Sequence, residues 1–190
     1  MEEAPEKYAI HAAAREGKHL VVESLLSANP KLRNLRDDDE RLPIHWAACN
    51  GHLMIAIALS SERDFDPDVE DGSGWTPLMM AVSLKEGEEL VDLLLRKGAD
   101  PNAKTHNSQT ALHFAASKSN LDVAKKLLSN NPPASTRVKD KRGQYPIHRA
   151  AAVGSVPMVE LLLKNKSPLD ASDNDGQTPL HHSMAEGHGK

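Results

Sequence analysis

Pro43-Ile44-His45-Trp46-Ala47-Ala48 returns along the chain as Ala111-Leu112-His113-Phe114-Ala115-Ala116 and as Pro146-Ile147-His148-Arg149-Ala150-Ala151. Shorter versions are Ala9-Ile10-His11-Ala12-Ala13 at the start and Thr178-Pro179-Leu180-His181 near the end. Thr76-Pro77-Leu78-Met79-Met80-Ala81 carries methionine where the others carry histidine. The histidine slot therefore falls at 11, 45, 79, 113, 148 and 181, in steps of 34, 34, 34, 35 and 33. A near-fixed period of this size is the mark of a repeat array.

Two further features keep phase with the slot. Fourteen residues after it stand Leu25, Leu59, Leu93, Leu127 and Leu162, and in four of these five units a second leucine follows. Eight residues before it stand Asp37, Asp71, Asp140 and Asp173, with Thr105 as the exception. Glycine follows the aspartate by three residues at Gly74, Gly143 and Gly176. The length variation falls between the leucine pair and the next Thr-Pro, where loops tolerate insertion.

These residue types describe a helix pair. Threonine before proline suits a helix start, because the hydroxyl caps free N–H groups and proline at the first position loses no hydrogen bond. The alanine pair lets a neighbouring helix approach closely. Gly17, Gly51, Gly154 and Gly187, six residues past the slot, suit a left-handed helix stop. A second helix follows with one apolar face, as at Leu90, Val91, Leu93, Leu94 and Leu95. Each unit is thus turn, helix, turn, helix, and none can bury its apolar face without stacking on another.

Composition narrows the function. The 190 residues carry 23 Lys and Arg against 27 Asp and Glu, a net charge of −4, which disfavours a nucleic-acid binder. A single cysteine allows no internal disulfide framework and no cysteine-rich zinc module, and a reducing compartment fits it. No apolar run approaches the roughly 20 residues of a membrane span. Residues 1–7 are polar and acidic, unlike a secretory signal.

Ten histidines invite a metal or catalytic reading, but five of them occupy the slot itself. Hydrogen bonding at successive helix starts explains that placement. Rings one repeat apart cannot share an ion with ligand distances of roughly 2 Å. His181, His182 and His188 form the one local cluster, and no cysteine or carboxylate accompanies them at ligand spacing. Phosphate-loop, dinucleotide, zincin and nucleophile-elbow motifs are absent. Cys49 has His45 and His52 nearby in sequence but no orienting acid, and reads as a small exposed or half-buried thiol. No enzyme activity, cofactor or metal is expected.

The pattern resembles the ankyrin repeat, with six units in register over nearly the whole chain. The resemblance implies an all-α fold, an ankyrin-repeat solenoid of stacked helix-turn-helix units with β-turn or hairpin tips. The expected domain is a single array over 1–190, five full repeats and the start of a sixth. That sixth unit would begin its second helix near residue 190, so the chain reads as truncated, with a capping tail at residues 184–190 as the alternative.

In ankyrin arrays the turn tips and first helices line a binding face. The corresponding variable positions nominate Asp38, Asp39, Arg41, Lys118, Lys141, Arg142 and Asp175 as partner contacts, with Asp71 in the same acidic tips. The tips change sign along the chain: acidic at residues 37–40 and 68–71, basic at Lys139, Lys141 and Arg142, acidic again in the sixth unit. Such a strip suits a protein partner of complementary pattern. Trp75 stands at a tip where a small polar residue would serve, and Trp46 and Arg149 follow the slot where leucine is usual. Trp and Arg are the commonest interface hot spots. For Trp46 the competing role is packing between repeats, and for Arg149 an ion pair with an acidic tip.

Pro146-Ile147-His148-Arg149-Ala150-Ala151-Ala152, Asp71-Gly72-Ser73-Gly74-Trp75-Thr76-Pro77, Pro43-Ile44-His45-Trp46 and Ala185-Glu186-Gly187-His188-Gly189 resemble the gankyrins, the fungal members above all. That resemblance implies a chaperone of proteasome regulatory-particle base assembly. It would bind the C-terminal domain of one base ATPase subunit through its concave face and block premature docking on the core particle. A monomer in cytoplasm and nucleus is expected with it. The L-x-C-x-E motif of mammalian gankyrin is absent, since Cys49 is flanked by Ala47, Ala48, Asn50 and Gly51. Retinoblastoma binding is therefore not carried over. The alternatives are an ankyrin adaptor or inhibitor of a kinase or transcription factor, and an enzyme whose catalytic domain lies elsewhere.

Overall fold

The computed structural model describes residues 8–188. Residues 1–7, whose composition spoke against a secretory signal, and residues 189–190, where a further helix would begin, lie outside them. Among the described residues the regular structure is helical, with no strand. The chain divides into two compact units, Met1–Ala99 and Asp100–Lys190.

The first unit holds three helix pairs: α1 (Ala9–Glu16) with α2 (His19–Ala28), α3 (Pro43–Cys49) with α4 (Leu53–Leu59), and α5 (Pro77–Val82) with α6 (Glu88–Arg96). A 3-10 turn, Pro30–Asn34, follows α2. The first helices pack in sequence order, α1 on α3 and α3 on α5, and the second helices do the same. In the second unit α7 (Ala111–Ser117) pairs with α8 (Leu121–Ser129), and α9 (Pro146–Ala152) with α10 (Val156–Lys164). The last helix among the described residues, α11 (Pro179–Ala185), packs on α9 as α9 packs on α7.

Small side chains permit this stacking. Ala47, Ala48, Ala115, Ala116 and Ala150 are fully buried between helices, and so are Leu94, Leu127 and Leu162 of the second helices. The histidine slot is a bracket between repeats. His45 Nδ1 accepts from the N–H of Leu42 at 3.0 Å, closing the start of α3. The proton must then sit on Nε2, which donates to the Val69 carbonyl of the next repeat at 3.0 Å. His113 repeats the arrangement, with Thr110 N–H at 3.1 Å and the Gln144 carbonyl at 3.1 Å. His11 likewise donates to the Leu35 carbonyl at 2.9 Å. Each ring is buried, so losing it orphans two backbone groups at once.

The threonine caps differ from expectation in one respect. Thr76 does cap with its hydroxyl, accepting from Met79 N–H at 3.5 Å. At Thr110 and Thr178 the hydroxyl instead meets the slot histidine Nδ1, at 3.0 and 2.7 Å. Methionine in the third slot leaves the hydroxyl as the only side-chain cap there. The left-handed helix stops occur as read, with φ of 69° to 81° at Gly17, Gly51, Gly154 and Gly187.

Candidate partner-binding face

The tips are shaped by the aspartate eight residues before each slot. Asp71 Oδ1 accepts from the N–H groups of Ser73 and Trp75, both at 2.9 Å. Asp37, Asp140 and Asp173 do the same for their own turns, at 2.8 to 3.0 Å. Thr105 substitutes its hydroxyl, at 3.2 Å to Asn107 and Gln109. A backbone bond from residue −8 to the carbonyl of residue −4 closes each turn, as from Asp71 to Trp75 at 2.9 Å. Backbone bonds join neighbouring tips, Gly72 N–H to Asp39 O in the first unit, and Lys141 N–H to Asn107 O and Asn174 N–H to Arg142 O in the second, all 3.0 Å.

The second carboxylate oxygen reaches inward to a side chain. Asp37 Oδ2 accepts from Trp46 Nε1 at 2.7 Å. Asp140 Oδ2 accepts from Arg149 Nη2 at 2.7 Å. Asp173 Oδ2 accepts from His182 Nε2 at 2.8 Å and from Gln144 Nε2 at 3.1 Å. In all three cases the donor directly follows the slot, nine residues after its aspartate. The third repeat has Met80 at that position, and Arg41 of the preceding repeat serves Asp71 Oδ2 instead, at 3.1 Å.

Electrostatics follow from this geometry. Burial works to raise the Asp71 carboxyl, but the N–H groups of Trp75 and Ser73 and the Arg41 guanidinium outweigh it and hold it below the usual range. At Asp173 burial is likewise outweighed, by His182, Gln144 and two backbone N–H groups, and the carboxyl sits far below its ordinary value. For Asp37 the Trp46 indole and the N–H groups of Arg41 and Asp39 overcome the same burial effect. His45, His113 and His148 are shifted down, chiefly because burial penalises the charged ring. Burial pushes the Cys49 thiol up, away from the reactive thiolate.

The nominated contacts separate into two sets. Asp38, Asp39, Lys118, Lys141, Arg142 and Asp175 are exposed. Tyr8 Oη donates to Asp38 Oδ1 at 2.6 Å, so that carboxylate is partly engaged. Arg41, Trp46 and Arg149 are half-buried, each held at one end by an aspartate. Arg41 also lies over the Trp46 ring at 4.8 Å from its centroid, with Arg15 at 5.7 Å. Trp75 is half-buried, its N–H bound to Asp71. Asp71 itself needs a correction. Its side chain is 2% exposed and its oxygens face Ser73, Trp75 and Arg41, so it builds the tip from within. For Arg149 the ion pair is with the aspartate of its own turn, not of a neighbouring tip.

Sequence reasoning missed Tyr8, Arg15 and His182, which the structure ties to Asp38, Trp46 and Asp173. The signal was present for His182: a donor nine residues after an aspartate, as at Asp37/Trp46 and Asp140/Arg149.

Comparison with known proteins agrees with this architecture. A profile of ankyrin repeats matches residues 10–105, 63–140 and 112–190. The chain is 39% identical over 186 residues to the probable 26S proteasome regulatory subunit p28 of Saccharomyces cerevisiae, covering 96% of this chain and 81% of that protein. It is 38% identical over 157 residues to the ankyrin repeat-containing protein C6C3.08 of Schizosaccharomyces pombe, covering 82% of this chain and 67% of that protein. Human inversin matches at 37% over 142 residues, 74% of this chain but 13% of inversin.

Proposed function

The chain belongs to the ankyrin-repeat family, and from that premise we propose that it is a non-catalytic scaffold acting in assembly of the proteasome regulatory particle. The observation that carries this reading is the likeness to the yeast proteasome regulatory subunit p28, which extends over 96% of this chain. Inversin shares only the array, so its likeness speaks to fold and not to partner.

The finer reading is that the partner is the C-terminal domain of a base ATPase subunit. The exposed tips support it. Acidic Asp38 and Asp39 belong to the first unit, and Lys118, Lys141, Arg142 and Asp175 to the second. A partner carrying basic and acidic patches in the matching order would be steered and registered by them. Trp46, Trp75, Arg41 and Arg149 are the hot-spot types in the set. Three of these already have one end fixed, which lowers the cost of ordering them on contact. Function by occupying space asks for no reacting group. Cytoplasm and nucleus are the compartments this role implies.

The test is affinity purification of the tagged chain from cells, with identification of the proteins retained. Base ATPase subunits in near-stoichiometric amount support the role. Their absence, with a kinase or transcription factor retained in their place, overturns it.

A further inference from the structure

The first two repeats enclose a cavity of about 300 Å³, at the lower end of small-ligand sites. Its origin is one side chain. Past the leucine pair the later repeats place a small residue, Ala99, Ala134 or Ser167, and each is buried. Each donates its N–H to a carbonyl of the second helix, of Leu94, Leu127 and Leu162, at 2.9 to 3.0 Å. The second repeat has Phe65 at this position, twenty residues past the slot as Ala99 is. Phenylalanine is too large for a site that alanine fills. It stays half-buried, and its N–H reaches only the Glu62 carbonyl, at 3.4 Å. α4 ends at Leu59, fourteen residues past its slot, whereas α6, α8 and α10 run two or three residues further. The space that the small residue closes elsewhere is open here.

Leu42, Ile44 and Leu59, all nearly fully buried, give the cavity an apolar floor, and Phe65 gives it a wall. The charged lining is divided by repeat. Arg33 and Arg36 come from the segment after α2, and Asp64 and Asp66 from the loop after α4. Among the described residues no ion pair joins the two sets. Arg33 pairs with Glu62 at 3.2 Å instead, and Arg36 with Glu40 at 3.7 Å. Arg33 Nη1 is buried without an acceptor, an orphan that calls for an anionic oxygen. Asp64 is exposed with no partner among the described residues, and Asp66 accepts from the N–H of Asp68 at 3.0 Å.

We propose that this cavity is a binding site for a free α-amino acid with an apolar side chain. Two guanidinium and two carboxylate groups favour neither an anion nor a cation. They suit one small molecule that carries both charges, its carboxylate toward Arg33 and Arg36 and its ammonium toward Asp64 and Asp66. The side chain covers the apolar floor. A phosphate or nucleotide would meet the two aspartates uncompensated. The site is separate from the partner face, since none of the nominated contacts lines it.

The experiment is calorimetric titration of the full chain with L-leucine and L-phenylalanine. Isoamylamine, which lacks the carboxylate of leucine, and isocaproate, which lacks its ammonium, are the controls. The expected result is saturable binding of one or both amino acids, with a dissociation constant of about 1 mM or tighter. Each control should bind at least tenfold more weakly. Arg33→Gln should weaken binding at least tenfold. Because Arg33 is largely buried, Asp64→Asn is read beside it: that residue is exposed, so the variant keeps the fold and should lose binding to a similar extent. Phe65→Ala gives the second repeat the plug of the third and should abolish binding in a folded chain. No saturable heat up to about 10 mM amino acid overturns the proposal. So does a control that binds as tightly as leucine, or an affinity unchanged by Asp64→Asn or by Phe65→Ala.

Discussion

Arg149 Nη2 donates to Asp140 Oδ2 at 2.7 Å, while Oδ1 of the same carboxylate holds the N–H groups of Arg142 and Gln144 at 2.9 Å. One carboxylate thus shapes a tip and anchors a side chain of the helix behind it. The pairing recurs at Asp37 with Trp46 and at Asp173 with His182. In these three repeats the shape of the tip and the placement of the side chain after the slot are therefore coupled through a single carboxylate.

Breaking that coupling should cost stability. Asp140 is nearly fully buried at its side chain, so Arg149→Met leaves a carboxylate without its charged donor. The expected loss is about 1–3 kcal/mol in urea unfolding. A double-mutant cycle with Asp140→Asn should recover about 1 kcal/mol of coupling. Additive effects would show that the pair is decorative.

Two serines stand where the backbone asks for glycine. Ser108 and Ser119 have φ of 60° and 53°, in the left-handed region. They correspond to Gly143 and to Gly154 of the next repeat, which have φ of 74° and 69°. Ser108→Gly and Ser119→Gly should each raise stability by up to about 1 kcal/mol, since the side-chain penalty of that region disappears. Calorimetry should show a melting temperature higher by about 2–4 °C per site. A fall in either variant would contradict the strain argument.

Acid should weaken the fold in two stages. The rings of His45, His113 and His148 have folded pKa values below the unfolded value of about 6.5. Unfolded chains then bind more protons, so stability is full above that value and falls as pH drops below it. The carboxyls of Asp37, Asp71 and Asp173 are also depressed. Their contribution is present above about pH 4 and is lost below it. Urea midpoints measured from pH 8 to pH 3 should trace both losses. A midpoint that is flat between pH 7 and pH 5 would rule out the histidine stage.

Charge reversal should separate binding from folding. Lys141 and Arg142 are exposed at their tip, so Lys141→Glu with Arg142→Glu should leave the melting temperature within about 2 °C. If this tip meets the ATPase domain, the dissociation constant should rise at least about tenfold, mostly through slower association. Equal affinity in the double variant would remove this tip from the interface.

Much of this was legible in the sequence. The histidine ruler at 34-residue spacing placed every first helix, and the leucines fourteen residues later placed every second one. At His45 and His113 the two ring nitrogens serve two repeats at once. The inward role of Asp71 was harder to see. A carboxylate at a tip looks exposed in sequence, and only the fold shows that Arg41 from the preceding repeat covers it. The left-handed turns at Glu40 and Ser108 were hidden for a similar reason. Their neighbours impose a backbone conformation that their own residue types do not signal.

The most direct test of the central claim is titration of the isolated base-ATPase C-terminal domain into the chain by calorimetry at low and moderate salt. The account predicts a one-to-one complex that weakens as salt rises, as complementary charged tips require. No complex at tens of micromolar, or one indifferent to salt, would contradict it.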